Sequence, residues 1–274
     1  MLPSPTILLF DSGLGGLTVH REVAKARPDA CLIYVAYDAA FPYGRIAEPR
    51  LIERVLSLAE VLIQRYRPVL MVIACNTAST LVLPHLRARF AVPFVGTVPA
   101  IKPACAASAT KRVSVLGTEA TVAREYTRAL IRDFANGAKV TLVGAAHLAS
   151  YAEAELHGSP VEDEVIRREI AACFVEQEGA RTDTVVLACT HFPLLLRRLE
   201  GLAPWPVHYI DPAPAIARRV SDLLGPATGV TASSPAAALF TSGRMPAASL
   251  AGALAGFGLR GEPCDLFDTL PVSA

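Results

Sequence analysis

The sequence predicts an α/β fold of two pseudo-symmetric domains, each a mainly parallel sheet flanked by helices, with a cleft between them. Three observations predict it. Short Val-, Ile- and Leu-rich runs alternate with longer stretches of helical period. The runs fall into two sets of four at similar spacing. The third run of each set ends in the same Ala-Cys phrase.

The first set of strands is TILLF (6–10), CLIYVA (31–36), VLMVIA (69–74) and VPFVG (92–96). The second is VSVLG (113–117), KVTLVG (139–144), TVVLA (184–188) and VHYI (207–210). Apolar on both faces, these runs suit buried parallel strands rather than the alternating strands of a sheet wet on one side. Between them, EPRLIERVLSLAEVLIQRY (48–66) places apolar residues three and four apart, the period of a helix lying on a sheet. Strand and helix in alternation imply crossover connections and parallel pairing. The two sets align with Ile7 on Val113, Leu32 on Thr141, Leu70 on Val185 and Pro93 on Pro206, offsets of 106, 109, 115 and 113. Any long α/β chain has some rhythm of this kind, so the chemistry at the strand ends has to decide whether the halves are related.

Bulk properties narrow the function. The 274 residues fit one large domain or two modest ones, and 52% hydrophobic against 19% charged residues exclude a disordered chain. A net charge of +1, from 26 basic and 25 acidic residues without a basic block, gives no nucleic-acid footprint. The first apolar run, residues 7–10, is too short and lacks the basic flank of a signal peptide or membrane span, so a soluble, cytoplasmic protein is expected. The six cysteines are scattered with no C-x-x-C pair, which disfavours zinc ribbons and Fe–S clusters; no metal is expected, and in a reducing cytosol the thiols would be free.

Two of those thiols carry the chemistry. VIACNTAS (72–79) and VLACTHFP (186–193) both run strand, alanine, cysteine, then polar residues where a helix should begin. Ligands of open α/β sheets bind beyond the carboxyl ends of the strands, so Cys75 and Cys189 should meet at one site, one from each half. A free thiol titrates near 8.5; a helix N-terminus would lower that, with Asn76–Thr77 and Thr190 as the expected caps. A single Ala-Cys at a strand end is usually a small buried hydrophobe, but two in matching phrases suit a reaction that needs one base on each face of a carbon. Racemisation is that reaction: a thiolate removes the α-proton on one face and a thiol returns one on the other, while oriented donors stabilise the carbanion and water is excluded.

Other strand ends supply partners. DSGLGG (11–16) offers Asp11 as base or charge partner for the first thiol and Ser12 with the following amides as a carboxylate or ammonium holder. Its glycines would allow a sharp turn and close approach to a ligand. With Thr18 where G-x-G-x-x-G needs glycine it is no dinucleotide fingerprint, and alone it fits a plain strand–turn–helix connector equally well. In FPYG (41–44), Tyr43 and the Gly44 amide suit a distal carboxylate, though Pro-Tyr-Gly is also an ordinary turn. His191, directly after Thr190, is a candidate acid–base partner for Cys189, with Glu153 as a carboxylate to orient it. The remaining histidines, His20, His85, His147, His157 and His208, carry no motif.

At this point the chain resembles the glutamate racemase family. DSGLGGLTV, PYG, VIACNTAS, VGTVPAI, LGTEATV and LACTHFPLL look like its signature blocks in family order, from about residue 6 to FTSG near residue 243. The resemblance implies two domains, 98–210 and 1–97 completed by the tail 211–274. It implies Cys75 and Cys189 as acid–base thiols, the first serving the D- and the second the L-enantiomer. Asp11, Ser12, Tyr43, Gly44, Asn76, Thr77, Thr118, Thr121, Thr190 and His191 become substrate-binding positions. It also implies no pyridoxal phosphate or other cofactor, no membrane association, a homodimer, and D-glutamate supplied to peptidoglycan synthesis. Three stretches depart from the family pattern. Before PYG the sequence is AYDAAF, with Tyr37 at the usual acidic place; AAHLASYAE (145–153) lacks the usual core around Glu153; and the tail after residue 244 is Ala- and Gly-rich. An aspartate racemase of the same superfamily is the alternative within enzymes. A non-catalytic binding protein on the same fold is the alternative outside them, though such a protein would be expected to have lost a thiol.

Overall fold

The computed structural model describes residues 4–41, 46–229 and 236–263. The first half runs β1 (Thr6–Asp11), α1 (Leu17–Ala26), β2 (Cys31–Ala36), α2 (Glu48–Tyr66), β3 (Leu70–Ile73), α3 (Asn76–Arg89) and β4 (Phe94–Gly96), after which α4 (Ile101–Ala107) packs on the second sheet. The second runs β5 (Arg112–Gly117), α5 (Glu119–Ala123), α6 (Glu125–Phe134), β6 (Lys139–Gly144), α7 (Leu148–Leu156) and α8 (Asp163–Ile170). It continues through the short pair β7 (Glu176–Gln177) and β8 (Ala180–Arg181) to β9 (Thr184–Ala188), α9 (Leu196–Leu202) and β10 (His208–Ile210). The chain ends with α10 (Ala213–Leu224), β11 (Ala236–Phe240), α11 (Ala248–Gly256) and β12 (Leu259–Pro263).

Two parallel sheets result, ordered β12-β11-β2-β1-β3-β4 and β10-β9-β5-β6. Read outward from their first strands, both contain the same four-strand plan: second, first, third, fourth. The constant offsets of the sequence therefore reflect one topology used twice. In both sheets the third strand lies beside the first, so the residues after β3 and β9 emerge beside the residues after β1 and β5.

Both sheets are covered on both faces, which is why the strands read as unbroken apolar runs. In β1, Ile7 and Leu9 point into a cluster with α1, α10 and α11, while Leu8 and Phe10 point into one with α2 and α3. In the second sheet, Leu116 and Leu187 face α7, α8 and α9, and Val115 and Val186 face α4. Each large side chain so buried contributes roughly 2–3 kcal/mol. Helix α2 has the limits its pattern predicts, with Leu51, Val55, Leu58, Ala59 and Leu62 on the buried stripe.

The segment after residue 211 supplies α10, β11, α11 and β12, and its two strands are ones the apolar runs of the sequence do not mark. Strands β11 and β12 extend the first sheet, with Ala237–Phe240 paired to Ile33–Ala36, and α10 packs on α1. Among the described residues no helix is long and apolar enough to cross a membrane.

Candidate active site

The two thiols line one closed cavity between the halves. Its volume is about 40 Å³, and Ser12, Asn76, Thr77, Thr118, Thr190 and His191 share its wall with Cys75 and Cys189. That is room for a few water molecules, so the halves are closed on each other here. Tyr43 and Gly44 lie outside the described residues.

Cys75 is itself the cap of α3. Its thiol accepts from the Ala78 N–H at 3.5 Å, and its backbone is extended before the helix begins. Asn76 and Thr77 are therefore the first residues inside the helix and not its caps, because the strand ends one residue earlier than the cap assignment required. The pull of the helix N-terminus on this thiol is outweighed. Burial, then the Asp11 carboxylate, pushes it up to about 12, and hydrogen bonds from Ser12 and the Ala78 amide offset only part of that. Asp11 thus acts on Cys75 by repulsion, not as a charge partner for its thiolate. Its carboxylate is occupied in holding its own loop, Oδ2 accepting from the N–H groups of Gly16 at 3.0 Å and Gly13 at 3.4 Å. The Thr190 hydroxyl donates to Oδ1 at 3.5 Å, linking the loop to the second half.

Cys189 has other company. No α-helix starts behind it; a 3-10 turn, Phe192–Leu195, follows, so Thr190 caps nothing. Instead Sγ lies 3.8 Å from His191 Nδ1, and His191 Nε2 lies 2.7 Å from Glu153 Oε1. A carboxylate only accepts, so Nε2 carries the proton in that short contact. Burial works against a charged imidazole, but the hydrogen bonds to Cys189 and Glu153 and their charges outweigh it and hold His191 well above its usual value. Burial likewise works against the Glu153 carboxylate, and the His191 contacts together with the Leu14 amide, which donates to it at 2.7 Å, bring it below its usual range.

Those contacts explain the glycines of DSGLGG. A Cβ on Gly15 would stand 2.5–2.7 Å from His191 Nδ1, backbone N and Cγ, and one on Gly13 would stand 2.4 Å from Glu153 Oε1. Neither glycine has a positive φ. What they admit is Glu153 and His191 of the other half, at the turn that leads into α1. Gly16 is small for a third reason, since Asp11 Cβ, Ala74 Cβ and the Tyr34 hydroxyl all come within 3.0 Å of its missing Cβ.

The polar wall completes the arrangement. The hydroxyls of Thr77, Thr118 and Thr121 form a triangle with sides of 3.1, 3.2 and 2.9 Å that joins α3 to α5 across the cleft. Thr118 also caps α5, accepting from the Thr121 N–H. Asn76 is buried with neither Oδ1 nor Nδ2 partnered. A buried amide of that kind faces a missing partner, and this one lies on the cavity wall. Among the described residues no group of three or more His, Cys, Asp or Glu side chains is arranged to hold a metal ion. Sequence reasoning passed over two residues. Tyr34, fully buried, donates to the Gly13 carbonyl at 2.8 Å and so fixes the loop. Phe41 lines the cavity and packs on His191, and only its place in FPYG pointed to it.

The sequence profile of Asp/Glu/Hydantoin racemases matches residues 18–220. The chain belongs to that family. It is 52% identical over 255 residues to a glutamate racemase of Mesorhizobium japonicum, covering 92% of this chain and 97% of that one. It is 50% identical to one of Brucella canis, covering 94% of each. Among solved structures, Escherichia coli glutamate racemase in complex with L-glutamate and the activator UDP-MurNAc-Ala superposes with a TM-score of 0.86 at 40% identity, over 94% of this chain and 97% of that one. The racemase RacE1 of Bacillus anthracis shares the fold, with a TM-score of 0.78 at 23% identity. Two parallel sheets flanked by helices are thus the architecture of this racemase family.

Proposed function

We propose that the chain is a glutamate racemase that interconverts L- and D-glutamate by proton transfer between Cys75 and Cys189, without a cofactor. The observation that carries this reading is that two thiols from opposite halves line one small cavity. The relatives named glutamate racemase and the L-glutamate complex of the E. coli enzyme support the choice of amino acid. The reading divides the chain into 1–97 with 211–274 and 98–210, which gives each unit one thiol. It carries with it a homodimer and a role in supplying D-glutamate for peptidoglycan.

On this reading the halves open to admit substrate and close around it, since 40 Å³ does not hold an amino acid. The Asn76 amide and the threonine triangle then exchange their present state for bonds to the substrate's polar groups. With L-glutamate, a Cys189 thiolate with the His191 imidazolium as counter-charge removes the α-proton, and the neutral Cys75 thiol delivers one to the opposite face. With D-glutamate the roles reverse. Oriented amides and hydroxyls around the α-carboxylate stabilise the carbanion, and closure removes the water that would otherwise solvate it.

Circular dichroism of L- and of D-glutamate incubated with the purified protein, no cofactor added, tests the reading. Both solutions should decay to the same racemic endpoint. A preference for aspartate, or no loss of optical activity, overturns it.

A further inference from the structure

We propose that Phe41 is a positioning residue for the Cys189 side of the site: its ring, supplied by the first half, covers the face of His191 and completes the Cys189–His191–Glu153 chain only when the halves are closed. Its consequence for turnover rests on the racemase reading, but its geometry does not.

The Phe41 and His191 rings lie 5.4 Å apart between centroids, tilted by 42°. A Cβ on Gly13 would stand 3.1 Å from Phe41 Cδ2, so the ring is wedged between the Asp11–Gly16 loop and the imidazole. Phe41 is held from behind. Its N–H donates to the Asp38 carbonyl at 3.4 Å. The Asp38 carboxylate accepts from the Ser242 N–H at 2.9 Å, the Ser242 hydroxyl at 2.5 Å and the Thr241 hydroxyl at 3.2 Å. The ring therefore rides on a loop pinned to the end of β11, in the first sheet. Cys189, His191 and Glu153 all belong to the second half.

The other sides of the imidazole are accounted for. Nδ1 faces Cys189 and Nε2 faces Glu153, while the Gly15 N–H is directed at Nε2 from 3.1 Å, a contact that works against a proton there and that the Glu153 carboxylate has to outweigh. Beyond these, Asp11 stands behind Thr190, and His157 stands 3.8 Å behind Glu153. With Phe41 on its face, His191 is left 2% exposed. An aromatic face within about 6 Å attracts a cation, most strongly where water is excluded. The ring therefore favours the imidazolium that gives a Cys189 thiolate its counter-charge. Opening the cleft lifts Phe41 away and wets His191; closure over substrate restores the cover.

The test is a titration of the full chain labelled with ¹⁵N-histidine, followed by NMR, with the His191 signal assigned by its loss in His191→Asn. Phe41→Leu keeps an apolar side chain but removes the ring face, and Phe41→Trp keeps a ring face. In Phe41→Leu the midpoint of His191 should fall by about one pH unit, and in Phe41→Trp it should stay at the wild-type value. The alkaline limb of kcat/KM for glutamate should move with it, with thermal melts unchanged. Because the two enantiomers have equal free energies, kcat/KM must remain equal in the two directions in every variant, which checks the assay. An unmoved midpoint in Phe41→Leu, or Phe41→Trp behaving like Phe41→Leu, overturns the inference. The two claims fail separately: a wild type without racemase activity whose midpoint still responds to Phe41→Leu refutes the function alone, and an active wild type with an unmoved midpoint refutes Phe41 alone.

Discussion

Cys75 and Cys189 follow the same strand of the same four-strand plan, yet their surroundings are opposite. Cys75 caps a 14-residue helix, is buried, and faces the Asp11 carboxylate, so burial and a like charge hold it as a neutral thiol up to about 12. Cys189 is followed by a 3-10 turn and faces an imidazole that burial pushes down but the hydrogen bonds to Cys189 and Glu153 raise well above its usual value. The repeated plan brings two thiols to one cavity, and the side chains around them differ: a carboxylate stands near Cys75 and an imidazole near Cys189. The lesson is that matched position in a repeated fold sets geometry, and that protonation is set locally by partners.

The largest effects test the thiols directly. Cys75→Ser and Cys189→Ser should each lower kcat/KM by about 10³-fold, with unchanged far-ultraviolet dichroism and melting. Undiminished turnover in either variant would break the comparison, since one thiol would then suffice.

A second histidine sharpens the point about partners. His20 is as buried as His191, but neither of its ring nitrogens has a partner, and burial lowers it to about 4. Its folded value lies below the unfolded 6.5, so the stability it contributes is present above pH 6.5 and is lost as pH falls toward 4. The loss should reach roughly 3 kcal/mol. Urea titrations of the wild type and His20→Leu across that window should show the variant's pH dependence flattened; identical slopes would contradict this.

Gly15→Ala is expected to cost about 2 kcal/mol, because the new Cβ meets the backbone as well as the ring of His191. Gly201→Ala, in α9 with nothing within 4 Å of the added Cβ, is the control and should be neutral or stabilising. The smallest effect belongs to the threonine triangle. Thr77→Val removes one hydroxyl that faces both Thr118 and Thr121, and should raise KM by about tenfold with a smaller change in kcat.

Much of the architecture was legible because short β-branched runs such as TVVLA, buried along their whole length, alternate with long helical stretches. The tail strands were not. AAALF and LRGEP carry little intrinsic strand preference and become strands by addition, AAALF to the edge of β2 and LRGEP to AAALF. The thiols were legible from their repeated phrase, but their titration was not, because burial and the Asp11 charge come from residues distant in sequence. Glu153 is expected as the partner of His191 from the sequence, and the two meet at 2.7 Å although 38 residues separate them. The atoms nearest a Cβ on Gly13 and Gly15 belong to Glu153 and His191 of the other half, so the phrase DSGLGG alone does not announce them. Phe41 was hidden inside a phrase that reads as a turn.

The central claim is that two thiols act on opposite faces. It is tested most directly by following each enantiomer of glutamate in D₂O at early times, by mass spectrometry after chiral separation. The account predicts product carrying solvent deuterium at the α-carbon while the remaining substrate keeps its protium, and loss of that product in both cysteine variants. Substrate that exchanges its α-proton without inversion as fast as product appears would instead mean that one base serves both faces.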